Sequence, residues 1–180
     1  MKRAMAIKPD DKLRRDACRY FGYRPQSEAE LKKKLGRKGI PPAEIENTLA
    51  GLKAEGLLDD AGFARFWKEN REFFAPRSRR LVRQELKRKG VSEDIIEQIT
   101  GEMNDDENAY RAALDKARRL ASGGDDRLFV ERLGGYLKRR GFDDEVIQNA
   151  MARIRKDTGG TNGLSSGSLK KVPNGGEQCN

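Results

Sequence analysis

The sequence predicts an all-α protein, an elongated array of three tandem three-helix repeats with a helix-turn-helix-like plan. Three observations carry that prediction. A leucine, three mostly basic residues, a glycine and an apolar residue recur as Leu35–Gly39–Ile40, Leu86–Gly90–Val91 and Leu137–Gly141–Phe142, at steps of 51 residues. The apolar register holds on both sides of the glycine, in Leu31, Val82 and Leu133, in Ile45, Ile96 and Ile147, and in Leu52, Met103 and Ile154. Strand signals are absent, with no sustained alternation and few β-branched residues. A period of this size marks supersecondary units that cannot bury their apolar faces alone. With 36% hydrophobic and 37% charged residues, each unit has a thin core, which favours an elongated molecule over a compact one.

The elements follow in order. Residues 1–11 are expected to be a flexible basic N-terminus, and repeat one spans 12–58. Its first helix, about 11–22, carries Leu13, Ala17, Tyr20 and Phe21. Ser27 is the expected N-cap of the second helix, about 28–38, and Glu30 three residues on completes a capping box. Gly39 ends that helix at the position that favours left-handed geometry. Pro41 and Pro42 open the third helix, about 42–55, where a missing N–H costs little, and Gly56 closes it. In repeat two, 59–104, Asp60 is expected to cap a helix at about 61–74, Ser78 one at about 79–89 and Ser92 one at about 93–103. In repeat three, 105–157, helices are expected at about 106–121 and 126–140 around a Ser-Gly-Gly-Asp-Asp loop. Asp143 then caps a last helix running to about 156. Residues 158–180 are rich in Gly, Ser, Thr and Asn, a composition that cannot repay the entropy of ordering, and a disordered tail is expected.

Composition narrows the function. A net charge of +9 and a pI near 9.7 fit an anionic partner such as nucleic acid or a protein bound to it. Cys18 and Cys179 are the only cysteines, which suggests no disulfide framework and suits a reducing compartment. The chain has no histidine, so histidine-based triads and most zinc and non-haem iron sites are excluded. No apolar stretch is long enough to span a bilayer and none reads as a signal peptide, so no membrane association and a cytoplasmic location are expected.

Three groups of residues could carry chemistry. The first is a basic stripe in the last turn of each second helix. Arg37, Arg88 and Arg139 are in register, as are Lys38, Lys89 and Arg140, and Lys87 matches Lys138 where repeat one has Gly36. Cations at a helix C-terminus complement the macrodipole by about 0.3–1 kcal/mol each, which accounts for one or two per helix. It accounts less well for Lys32, Lys33, Lys34, Arg77, Arg79, Arg80 and Arg83. Residues 76–90 hold seven Lys or Arg against one acid, Glu85, whereas residues 91–110 hold seven acids and no Lys or Arg. The predicted binding face is therefore Lys32, Arg37, Lys38, Arg77, Arg79, Arg80, Arg83, Lys87, Arg88, Lys89, Lys138, Arg139 and Arg140, against the alternative of capping and solvation. The second group is Phe63, Phe66, Trp67, Phe73 and Phe74, whose helical spacing assigns most of them to packing rather than base stacking. The third is Asp59–Asp60, Asp105–Asp106 and Asp143–Asp144, each pair ahead of a helix, where capping outweighs metal binding or acid–base work. No nucleotide-binding loop, nucleophile elbow or metal-ligand spacing occurs, so neither an enzyme nor a cofactor is expected.

The segment Gly56-Leu57-Leu58-Asp59-Asp60-Ala61-Gly62-Phe63-Ala64, followed by Trp67 and Arg71, stands in order with Glu85-Leu86-Lys87-Arg88-Lys89-Gly90-Val91 and Tyr136-Leu137-Lys138-Arg139-Arg140-Gly141-Phe142. This closely resembles the RecX family, bacterial regulators of the RecA recombinase, over residues 12–156. The resemblance implies a small, elongated, non-enzymatic helical protein that binds in the groove of the RecA–DNA filament, and a monomer is expected. Such binding restrains strand exchange, ATP hydrolysis and LexA cleavage, with weaker electrostatic contact to single- and double-stranded DNA. A RecA-independent basic DNA-binding protein and a helical adaptor for another protein are the rival expectations.

Overall fold

A computed structural model describes residues 9–120 and 126–157 of the 180-residue chain. The segment 1–8, most of the Ser-Gly-Gly-Asp-Asp loop and the polar tail lie outside the described residues. Within them the regular structure is all helix: α1 (Pro9–Phe21), α2 (Glu28–Gly36), α3 (Pro42–Ala54), α4 (Asp60–Phe74), α5 (Arg79–Arg88), α6 (Glu93–Thr100), α7 (Asp105–Leu120), α8 (Asp126–Arg139) and α9 (Asp144–Asp157). The first helix starts at Pro9, two residues before its expected start, a position where proline's fixed φ and missing N–H are tolerated.

The helices group by threes around three cores. Leu13, Ala17, Leu31, Leu35, Ile45, Leu49, Leu52 and Leu58 pack together in the first. Phe63, Ala64, Val82, Leu86, Val91, Ile96, Ile99 and Met103 form the second, and eleven buried residues from Ala109 to Ile154 form the third. The register read from the sequence sets these cores. Leu31, Val82 and Leu133 are at most 1% exposed, and Leu35, Leu86 and Leu137 are fully buried.

The helix ends follow the turn chemistry with three departures. At α5, the Val91 N–H donates to the Leu86 carbonyl and the Gly90 N–H to that of Lys87, a Schellman closure that needs the positive φ of +80° at Gly90. Phe142 and Gly141 repeat it on Leu137 and Lys138. Ser27 and Ser78 accept from the Glu30 and Leu81 N–H groups at 3.2 Å, as capping residues do. The reciprocal half of the expected capping box is not made, because the Glu30 carboxylate turns to Arg24 and Lys89. Ser92 occupies the N-cap position of α6 without a side-chain hydrogen bond. The cap of α4 is Asp59, accepting from the Ala61 N–H at 2.9 Å, and not Asp60. Phe73 and Phe74, the last two residues of α4, are exposed, unlike the packing expected for most of their group.

Asp60 has a different task, and it shows how the units join. Its carboxylate accepts from the Glu28 N–H at the start of α2, at 2.8 Å. Asp105 does the same for the Arg79 N–H at the start of α5, at 2.7 Å. Each acid thus caps a helix of the preceding unit, and burial, the leading cause, pushes both carboxyls above the ordinary value. The closing glycines complete the joints. Ser27 Oγ donates to the Lys89 carbonyl at 2.6 Å beside Gly90, and the Ser78 N–H donates to the Arg140 carbonyl at 3.1 Å beside Gly141. The end of one unit's second helix is seated on the start of the previous unit's second helix, 51 residues earlier in register.

Candidate functional site

The first joint opens into a groove of about 620 Å³ between α2, α4 and α5. Lys33, Lys34 and Arg37 face it from α2, and Lys87, Arg88 and Lys89 from the end of α5. Trp67 and Arg71 of α4 also line it, and its two acids are Glu30 and Glu85. Both acids are consumed internally. Glu30 accepts from Arg24 Nη1 at 2.9 Å and Nη2 at 3.1 Å, and from Lys89 Nζ at 2.7 Å. Burial pushes the Glu30 carboxyl up, but those hydrogen bonds and charges outweigh it and hold the group below its ordinary value. Glu85 Oε2 accepts from Trp67 Nε1 and Arg71 Nε, each at 2.7 Å, and Glu85 also pairs with Arg77. Lys89 Nζ lies 3.9 Å from the Trp67 ring centroid, a cation–π contact that fixes it over the joint.

These contacts divide the predicted binding face. The second residue of each in-register pair is engaged by a group of the protein itself. Lys38 meets Asp16 at 3.8 Å, Lys89 is bound as above, and Arg140 donates to the Pro76 carbonyl at 2.8 Å over the Tyr136 ring. The first residues, Arg37, Arg88 and Arg139, are exposed and carry no ion pair among the described residues. Arg83 pairs with Glu93 and Glu97 of α6, and Lys87 reaches Glu93 at 4.0 Å, so the acidic half of the middle repeat answers part of its own basic half. Arg77 is bound by Glu85, Arg79 donates to the Met103 carbonyl at 2.9 Å, and Arg80 reaches the Gly141 carbonyl at 3.3 Å. Lys32 pairs with Glu46, and Lys138 with Asp144 at 2.9 Å.

The groove brings together Arg37, Lys87, Arg88 and Lys89 and leaves Lys138, Arg139 and Arg140 elsewhere. Arg139 lines a separate groove of about 440 Å³ between α7 and α8, with Lys116 and Arg132. The first joint differs from the second in sequence as well, since Gln84 and Glu85 stand 51 residues after Lys33 and Lys34. Trp67, Arg71 and Glu85 were not predicted as part of a site. Their signal was an acid on the apolar face of a helix: Glu85 sits three residues after buried Val82 and one before buried Leu86.

The architecture and groove define a class, a tandem array of three-helix units presenting a basic cleft at a joint. Among the described residues no cluster of His, Cys, Asp or Glu is arranged to hold a metal, and no helix is long and apolar enough to cross a membrane. The family descriptions "RecX, first three-helix domain" and "RecX, second three-helix domain" match residues 14–52 and 59–99. Regulatory protein RecX of Chlorobium phaeobacteroides is 35% identical over 146 residues, covering 81% of this chain and 95% of that protein. The same-named protein of Geobacillus kaustophilus is 34% identical over 143 residues, covering 78% of this chain. The chain spans about half the length of that relative, 53%, and 61% of the one from Geobacillus thermodenitrificans. In fold it is similar to RecX from Lactobacillus salivarius, with a TM-score of 0.66 at 19% identity over 82% of this chain and 97% of that one. The chain belongs to the RecX family.

Proposed function

We propose that this protein is a negative modulator of the RecA recombinase, acting on the RecA–DNA filament without chemistry of its own. The observation that carries the reading is the joint groove, where seven Lys or Arg face two acids that are already bound within the protein. Among the described residues Lys33, Arg37 and Arg88 there have no carboxylate partner, so their charge is available to an anionic surface. A series of modest contacts spread over successive units suits a long repetitive partner, because linked contacts raise avidity without one strong site. In this reading the groove and the exposed arginine row grip the filament along its DNA-lined groove. That grip lowers ATP hydrolysis, strand exchange and LexA cleavage.

The test is single-stranded-DNA-dependent ATP hydrolysis by RecA with this protein titrated in. Loss of hydrolysis at a few copies per hundred RecA monomers supports action on the filament. Loss only at ratios that coat the DNA favours a RecA-independent basic DNA binder, the reading the unpaired cations also suit. No loss at any ratio sinks both inhibitory readings and leaves a helical adaptor.

A further inference from the structure

Phe73 and Phe74 end α4 with their side chains in solvent, 80% and 76% exposed. The ring centroids lie 5.4 Å apart with planes at 63°. Phe63 on the same helix is 1% exposed, so the helix does have a place to bury aromatic rings, and this pair is not in it. The backbone under the rings is held on both sides. The Ala75 N–H donates to the Arg71 carbonyl at 3.2 Å, Pro76 is buried and accepts from Arg140, and the Ser78 N–H donates to the Arg140 carbonyl. Two rings on a fixed base lose little freedom when something stacks on them.

The charge around the pair says what that is. Residues 71–80 contain Arg71, Arg77, Arg79 and Arg80 against the single acid Glu72. Arg140 is turned to the Pro76 carbonyl and Glu85 takes Arg71 and Arg77, which leaves Arg79 and Arg80 exposed. Exposed aromatic faces set among arginines match a ligand that carries both phosphates and open π-faces, which is an unpaired nucleic-acid strand. A duplex keeps its base faces stacked inside and offers the rings nothing. We propose that Phe73 and Phe74 form a base-stacking platform for single-stranded nucleic acid, with exposed Arg79 and Arg80 holding its phosphates. This goes beyond the joint groove, whose lining excludes both rings and which meets only charge.

The experiment compares binding of the full chain to a labelled oligothymidylate and to an abasic strand of equal length, by fluorescence anisotropy. One stacked base is worth about 5- to 140-fold in affinity, so the wild type should prefer the base-bearing strand by that factor. The double variant Phe73→Ala, Phe74→Ala should lose the preference, keep its affinity for the abasic strand and keep its circular dichroism. No preference in the wild type, or a preference retained in the double variant, overturns the platform. If the double variant keeps the preference but loses RecA inhibition, the pair instead fills a slot on a protein. The groove is read separately by Arg37→Glu with Arg88→Glu, which should weaken both strands equally. An unchanged affinity there overturns the groove and leaves the platform standing.

Discussion

Alanine at position 90 should loosen the joint between the first two units. Gly90 has a φ of +80°, where an L side chain costs about 1–2 kcal/mol. The new Cβ would also fall well inside contact distance of the Ala29 Cβ, which is fixed to α2 and cannot swing away. Relief requires the units to part, and that stretches the 2.6 Å bond from Ser27 Oγ to the Lys89 carbonyl and the 2.7 Å bond from Lys89 to Glu30. Overpacking of this kind costs about 1–3 kcal/mol, so the total is about 2–5 kcal/mol. Gly39 is the internal control. Its φ is +74° but a Cβ there meets open space, so Gly39→Ala should cost only the backbone part, about 1–2 kcal/mol. Urea unfolding of both variants reads the difference as midpoints at constant slope. Adding Ala29→Gly to Gly90→Ala should recover the overpacking part, a coupling the double-mutant cycle isolates. Equal losses for Gly39→Ala and Gly90→Ala, or no recovery in the double variant, would refute the argument that the glycine is there for the joint.

Other outcomes follow from the same contacts. Trp67→Ala should cost about 3–5 kcal/mol in urea unfolding, and Trp67→Phe part of that, because the ring packs on the second core and its Nε1 satisfies buried Glu85. Unaltered stability with lost filament binding would move Trp67 to the interface. Arg37→Glu with Arg88→Glu should weaken filament binding and leave the melting temperature unmoved. Arg83→Ala, whose side chain is engaged by Glu93 and Glu97, should leave binding near wild type and shift stability by less than about 1 kcal/mol, and the reverse ranking would show that the α6 pairing is not kept in solution. Glu30, held below its ordinary 4.5 against the pull of burial by Arg24 and Lys89, contributes stability that is full above 4.5 and lost as pH falls through its lower folded value. Unfolding of Glu30→Gln should therefore be flatter with pH than wild type on the acid side, and parallel curves would count against the Lys89 bridge.

The fold was largely legible because the apolar period is strict. Leu31, Val82 and Leu133 could be placed in equivalent core positions from spacing alone, since a helix that must bury one stripe admits few registers. The Schellman glycines were legible for the same reason, a local rule with one residue type that satisfies it. What spacing does not encode is which neighbour a polar side chain chooses. Asp60 stands at a helix start, where local rules make it a cap, yet it caps α2 of the previous unit because that N-terminus lies beside it. Charge counting likewise read residues 76–90 as an open basic surface, although Arg83 and Arg77 find carboxylates in α6 and at Glu85 once the helices are folded together. Position within the repeat separated exposed Arg88 from interior Lys89, adjacent and of like charge, only when the joint itself was in view.

The serine seats have a consequence for growth of the array. Ser27 and Ser78 each present a helix start on which the next unit's second helix can rest. The third position in this series, 51 residues on, is Phe129, inside α8, which begins four residues earlier in register. The amides of α8 at that point are spent on its own first turns, so the third unit offers no seat of this kind. The contact is head-to-tail, the type that propagates into open fibres when every member has both halves. A phenylalanine in place of the serine removes one half, and with it the route by which copies of this chain could polymerise through the joint that holds the units together.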